Sequence, residues 1–175
     1  MQNPVKRKLL NGQKTIGAFL QTLSPVAAEI LAQAGFDWLI VDLEHSPGGF
    51  DNLQAQLQAM NGSGVEPFAR APWNDAVAIK RILDTGVMGV LVPYVNTRAE
   101  AEMAVAACKY PPQGVRGVAG SPRAAGDTRN TRPYLTTANV ETVVMIAVET
   151  RQAVENLDEI LQVEGLDGIF IGPVD

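Results

Sequence analysis

The chain has 175 residues, 46% of them apolar and 19% charged, which is the make-up of a globular domain and excludes a disordered polypeptide. No stretch approaches the ~20 consecutive apolar residues of a membrane span, and no charged-then-apolar opening suggests a signal peptide. Fourteen Lys and Arg against nineteen Asp and Glu leave a net charge of -5, which disfavours nucleic acid as a partner.

A helix is expected before the first strand, which spans residues 15–20. Ser24 then caps a helix with Pro25 at its first position. Ile30, Leu31 and Ala34 should form its apolar face, and Gly35 its stop. Residues 38–43 read as a second strand, 51–60 as a helix ended by Asn61-Gly62, and 67–70 as a third strand. Asn74 or Asp75 caps a helix through Asp84, with Ala76, Ile79 and Leu83 on one side. Residues 89–93 form a fourth strand. Thr97 and Glu100 make a capping box for a helix to about Lys109. Residues 110–139, rich in Gly, Pro and Arg, read as a long functional or mobile loop. Residues 142–148 form a fifth strand. Residues 151–163 form a helix with Val154, Leu157, Ile160 and Leu161 inward, and 168–171 a sixth strand. The single cysteine, Cys108, sits on a helix as a small buried hydrophobe. With no disulfide partner and no CxxC zinc motif it favours a reducing, cytoplasmic setting.

Short apolar strands alternating with helices predict a parallel sheet, covered on both faces, with right-handed crossovers. A doubly wound sheet and a (β/α)₈ barrel both fit. Neither a GxGxxG turn nor a GxxxxGK[ST] loop is present, which argues against nucleotide binding.

In either architecture the reactive face lies at the carboxyl ends of the strands. There the sequence places Asp42-Leu43-Glu44-His45, Arg70, Glu149 and Asp175. Glu149 and Asp175 end consecutive strands and would chelate a hard cation. The alternative is that Glu149 caps the next helix and Asp175 sits in a turn. His45 is either a general base near neutrality or a solvent-facing loop histidine. Arg70 either stabilises an oxyanion or pairs with Asp42 or Glu44. Those two carboxylates share a strand face and read as orienting groups or anchors for metal-bound water. No lysine ends a strand, so an imine-forming mechanism is disfavoured. No GxSxG elbow appears, so serine hydrolysis is disfavoured too.

These motifs together resemble the HpcH/HpaI aldolase/citrate lyase family. The pieces are Gly35-Phe36-Asp37-Trp38 leading to Asp42-Leu43-Glu44-His45; Arg70-Ala71-Pro72-Trp73-Asn74-Asp75; Leu83-Asp84-Thr85-Gly86; Tyr110-Pro111-Pro112-Gln113-Gly114-Val115-Arg116-Gly117; Val148-Glu149-Thr150; and Gly168-Ile169-Phe170-Ile171-Gly172-Pro173 with Asp175. The resemblance implies a TIM (β/α)₈ barrel, usually oligomeric. It implies a metal-dependent, class II aldolase that cleaves or forms the C–C bond of 4-hydroxy-2-oxo acids, giving pyruvate and an aldehyde. It makes Glu149 and Asp175 the ligands of a divalent metal, Mg²⁺ or Mn²⁺ ahead of Co²⁺ or Zn²⁺. It makes Arg70 a contact of the keto acid and its enolate, and His45 the acid/base group. It makes Asp84 the partner of that histidine, and the amides around Val174 and Asp175 the holders of the pyruvate carboxylate; since Asp84 ends its helix at the rim opposite His45, their contact is most easily made across a subunit interface. Two departures stand out. Ala147 replaces a glutamine usual two residues before the metal-binding glutamate, and the segment 121–133, with Arg123, Arg129 and Arg132, either shapes acceptor or partner contacts or is a flexible solvated loop. The competing expectations are an acyl-CoA lyase of the citrate lyase or malyl-CoA lyase kind, and an inactive fragment with a structural role.

A (β/α)₈ barrel usually takes about 250 residues, and six strands are counted here. The expectation is therefore a fragment of a longer protein, cut within the site at Asp175, with an open edge that leaves it unstable or associated when isolated.

Overall fold

The strands are short β-branched and aromatic runs, and alternation along each decides which side chain faces which layer. A computed structural model, describing residues 2–126 and 129–174, arranges them as one parallel sheet. Its strands are β1 (Gly17–Leu20), β2 (Trp38–Asp42), β3 (Glu66–Arg70), β4 (Gly89–Val92), β5 (Val143–Val148) and β6 (Gly168–Ile171), paired in chain order. A doubly wound sheet would reverse that order at a switch point, so chain order selects the barrel. The sheet is curled into part of a (β/α) barrel. Phe19 of β1 and Phe170 of β6, on its two outer strands, meet edge to face with ring centroids 5.6 Å apart.

The helices are α1 (Pro4–Leu10), α2 (Pro25–Ala32), α3 (Phe50–Ala59), α4 (Ala76–Asp84), α5 (Arg98–Cys108), α6 (Thr131–Glu141), α7 (Arg151–Glu155) and α8 (Leu157–Ile160). Outward-facing Leu39, Val41, Ala69, Val90, Val92, Val144 and Ile146 pack under the helices against Leu53, Ile79, Ile82, Leu83, Ala101 and Ala104. Inward-facing Ile40, Phe68, Leu91, Val143 and Ala147 form a second core with Phe19, Trp38 and Phe170. The expected N-terminal helix closes the bottom of this inner core with Val5. Asn3 caps it, accepting from the Lys6 N–H at 3.1 Å, and donates from Nδ2 to the Met88 and Glu141 carbonyls at 2.9 Å each. Lys6 Nζ reaches the Thr142 carbonyl at 2.9 Å and Asp167 at 3.0 Å. Helix α1 is thus tied to the amino-terminal ends of β4, β5 and β6.

Three expectations are corrected. Residues 110–139 are not one loop: they contain a 3₁₀ turn (Arg123–Ala125) and most of α6. Pro133 falls in the first turn of α6, where a missing N–H costs nothing. The helix expected over 151–163 breaks at Asn156 into α7 and α8, leaving Val154 61% and Leu161 53% exposed. Helix α2 packs through the small Ala28 and Ala32, while Ile30 is exposed. Cys108 is buried as expected, and burial pushes its thiol up to about 12. Among the described residues no helix is long and apolar enough to cross a membrane.

Glu66 begins β3 with the inward parity of Phe68, and burial pushes its carboxyl from 4.5 up to about 7. The folded state therefore holds this proton more tightly than the unfolded state. The resulting stability is full below about pH 4.5 and is lost as pH rises through about 7. Glu66→Gln is expected to melt higher than the parent at pH 8 and to lose that advantage at pH 4.5. A difference independent of pH would show that Glu66 does not titrate on folding.

Candidate active site

All strands point their carboxyl ends to one rim, and inward parity brings Gln21, Asp42, Glu44, Arg70 and Glu149 to it. Asp42, fully buried, is the hub. It accepts from Gln21 Nε2 at 2.8 Å, Arg70 Nε at 2.9 Å, Arg70 Nη2 at 2.5 Å, and the N–H groups of Glu44 at 3.0 Å and His45 at 3.2 Å. Burial pushes this carboxyl upward, but the donors outweigh it and hold it at about 2. Five donors fill the roughly four lone-pair sites of a carboxylate. Asp42 is therefore a clamp for Arg70 and for the turn carrying His45, and has no lone pair left to anchor metal-bound water.

Arg70 is pulled down by burial and held above its ordinary value by Asp42, Glu44 and Glu149. Its Nη1 lies 3.2 Å from Glu44 Oε2, and its guanidinium sits 5.1 Å over the Phe19 ring. Both sequence alternatives for Arg70 thus meet in one side chain: it is ion-paired, and the pairing fixes its position.

His45 lies on the rim with its side chain 64% exposed, its Nε2 3.7 Å from Glu44 Oε2. Glu44 is raised by burial and by repulsion from Glu149 and Asp42, against the pull of Arg70 and His45. Its Oε2 is buried and has no hydrogen-bond donor among the described residues.

Glu149 follows β5, and its Oε1 accepts from the Tyr94 N–H at 2.7 Å. It does not cap α7. That cap is Thr150, which accepts from the Ala153 N–H at 3.1 Å and donates to Asn96 Oδ1. Gly172 is required opposite: a Cβ there would stand 2.9 Å from Glu149 Cβ and 3.1 Å from its Oε2. Ala147 lies on the same inward face, buried in the inner core with Phe170 packed against that core. Val174 is exposed, and Asp175 lies outside the described residues.

Among the described residues no three His, Cys, Asp or Glu side chains converge as metal ligands. The donors that are described still suit a hard cation. Glu149 offers a carboxylate on the rim, and Glu44 lies near enough to feel its charge. Glu44 Oε2 is ion-paired with Arg70 at 3.2 Å but takes no hydrogen bond from the described residues, so a cation or its bound water would complete its coordination.

Asp84 is not part of this group within one chain. It ends α4 on the opposite rim, where Arg116 Nη2 donates to it at 2.7 Å. Arg116 is buried between the rings of Tyr110, 4.4 Å away, and Tyr134, 5.7 Å away. The 110–117 motif delivers it there. Its Val115 and Arg116 N–H groups bind the Ala106 and Lys109 carbonyls at 2.8 and 2.9 Å. A Cβ on Gly114 would stand 2.4 Å from those same oxygens. Arg123 is on this opposite rim too, donating to the Thr85 carbonyl at 2.6 Å. Within one chain it therefore cannot shape acceptor contacts. Of segment 121–133, Asp127 and Thr128 lie outside the described residues.

Sequence reading missed Gln21 and the Tyr94 amide. Gln21 was within reach, lying two residues past the inward Phe19. Tyr94 contributes through its backbone, which carries no residue-type signal.

The family described as HpcH/HpaI aldolase/citrate lyase matches residues 15–175. The chain is 47% identical over 176 residues to a 4-hydroxy-2-oxo-heptane-1,7-dioate aldolase of Escherichia coli, covering all of this chain and 67% of that one. It is 48% identical to a hydroxypyruvate/pyruvate aldolase of Deinococcus radiodurans, covering all of this chain and 63% of that one. A solved HpcH/HpaI family protein from Burkholderia cenocepacia superposes with a TM-score of 0.93 at 36% identity, covering 98% of this chain and 69% of that one. The chain thus spans about two thirds of the length of these relatives.

Proposed function

The chain belongs to the HpcH/HpaI aldolase/citrate lyase family, and on that premise we propose that it is a carbon–carbon lyase acting on 4-hydroxy-2-oxo acids, releasing pyruvate and an aldehyde. The observation that carries the reading is the buried Arg70 guanidinium, clamped by Asp42 and Glu44 beside Glu149. It is a fixed cation at the mouth of the barrel, where an enolate needs one.

Glu149, with Asp175, would hold a divalent cation, Mg²⁺ or Mn²⁺, which when bound supplies Lewis acidity toward the oxygens of a 2-oxo acid. Arg70 contacts the keto oxygen and gains most as that oxygen becomes anionic. His45 takes the proton of the 4-hydroxyl through water; the C3–C4 bond breaks, the aldehyde leaves, and a proton returns to C3 of the enolate. Asp42 keeps Arg70 in place and holds the N–H of His45. The amides near Val174 and Asp175 hold the substrate carboxylate. Asp84, on the opposite rim, would reach a histidine only from a second copy, so a homo-oligomer is part of this reading, as is a cytoplasmic setting.

The test is pyruvate release from a 4-hydroxy-2-oxo acid by the full chain. Release should stop on chelation and return with Mg²⁺ or Mn²⁺; release that survives exhaustive chelation would overturn the metal-dependent reading. His45→Ala should lose about a hundredfold to ten-thousandfold in rate with an unchanged melting temperature, because its side chain is exposed.

A further inference from the structure

Two large aromatic side chains stand exposed on the rim that carries the site. Trp73, three residues past β3, is 55% exposed, and Tyr94, two past β4, is 49% exposed. Single exposed apolar residues need no explanation. These two are organised: their rings stack with centroids 5.5 Å apart and planes at 26°.

The pair is held in advance. Tyr94 has φ 56, in the left-handed region that a bulky residue adopts only when its surroundings impose it. Its N–H donates to Glu149 Oε1 at 2.7 Å, and its carbonyl accepts from Asn96 Nδ2 at 3.1 Å. Glu100 then fastens both loops. Its Oε2 accepts from the Asn96 N–H at 2.7 Å, and its carbonyl accepts from Asn74 Nδ2, next to Trp73, at 3.0 Å. The left-handed turn thus serves Glu149 with its amide and places the Tyr94 ring against Trp73. The aromatic surface begins at the residue whose amide binds Glu149.

We propose that the Trp73–Tyr94 pair is the acceptor wall, the surface on which an apolar or aromatic aldehyde rests while its carbonyl meets the enolate. This rests on the pyruvate-lyase reading above and adds the substrate class. The polar centre of Arg70 and Glu149 suits the 2-oxo acid. The adjoining surface presents two stacked ring faces that favour a planar apolar group. The enclosed apolar cavity of the inner core, lined by Phe19, Ile40, Phe68, Leu91 and Phe170, has a volume of only about 90 Å³. That is below the ~150 Å³ known to hold a benzene ring, so an aromatic acceptor has no seat there.

The experiment is aldol addition of pyruvate to benzaldehyde and to acetaldehyde by the full chain with Mn²⁺, read as the ratio of the two kcat/KM values. The parent should favour benzaldehyde. Trp73→Ala and Tyr94→Ala should each lower the ratio about fivefold to tenfold, and Tyr94→Phe should restore it. Benzaldehyde should also quench tryptophan emission, and Trp73→Phe should remove that quenching. A ratio unchanged in both alanine variants overturns the proposal. So does Trp73 emission that follows protein concentration and ignores benzaldehyde, which would mean that a second copy covers the pair. Exchange of the pyruvate C3 protons with deuterated water, run without any aldehyde, separates the two readings. No exchange by the parent sinks the lyase reading itself, whereas exchange with an unchanged ratio sinks only the wall.

Discussion

Arg70→Met is expected to lower pyruvate release by at least about a hundredfold and to destabilise the fold by about 3 kcal/mol. The two losses have different origins. The rate falls because the fixed cation at the developing enolate oxygen is gone. Stability falls because Asp42, fully buried, keeps its charge with only Gln21 and two backbone N–H groups as donors. Asp42 is held at about 2 in the parent. Since that lies below the unfolded value of 3.8, its contribution is full above about pH 3.8 and is lost as pH falls through about 2. Without Arg70 burial prevails, the carboxyl rises, and acid unfolding should lose this component. Arg70→Lys should recover part of the stability and little of the rate, because one ammonium cannot make the Nε and Nη2 contacts together. The double variant Asp42→Asn/Arg70→Met is the decisive control: neutralising the hub should return most of the stability and none of the activity. Urea melts and a pyruvate assay read the two effects independently. A single variant as stable as the parent would mean that Asp42 finds water there.

Much of this was legible because β/α alternation leaves few choices. Ser24-Pro25, Asp75 and the Thr97–Glu100 box start their helices as their chemistry dictates. The rim set of Asp42, Glu44, Arg70 and Glu149 follows from strand ends and inward parity alone. Periodicity alone left the barrel and the doubly wound sheet both open; the family resemblance selected the barrel, and strand order bears it out. What stayed hidden shares one physical cause, the dependence of a residue's role on distant backbone. Pro133 is a breaker or a first-turn residue according to where α6 starts. Ile30 and Val154 have apolar periodicity, but small alanines allow α2 and α7 to approach through other faces. Tyr94 acts through its amide, and its left-handed φ is set by Glu149, Asn96 and Glu100. Asp84 and His45 fall on opposite rims, as their places in the topology require, so a contact between them would need a second copy.

Glu149→Gln is expected to separate metal binding from folding. A glutamine carbonyl still accepts the Tyr94 N–H, so the left-handed turn and the 2.7 Å contact can survive. Stability should stay within about 0.5 kcal/mol of the parent. The carboxamide removes a negative charge that now raises both Glu44 and Arg70, so Glu44 should titrate lower. Mn²⁺ affinity, read by calorimetry, should fall by at least about a hundredfold, more than the 10–100-fold typical of losing an outer partner. Pyruvate release should fall with it at fixed metal and recover in part when Mn²⁺ is raised. Arg70→Met behaves in the opposite way: added metal should not restore it, because the missing cation there is the protein's own. If Glu149→Gln binds Mn²⁺ as the parent does, the cation is held elsewhere, and Glu44, whose Oε2 takes no hydrogen bond, becomes the next group to replace.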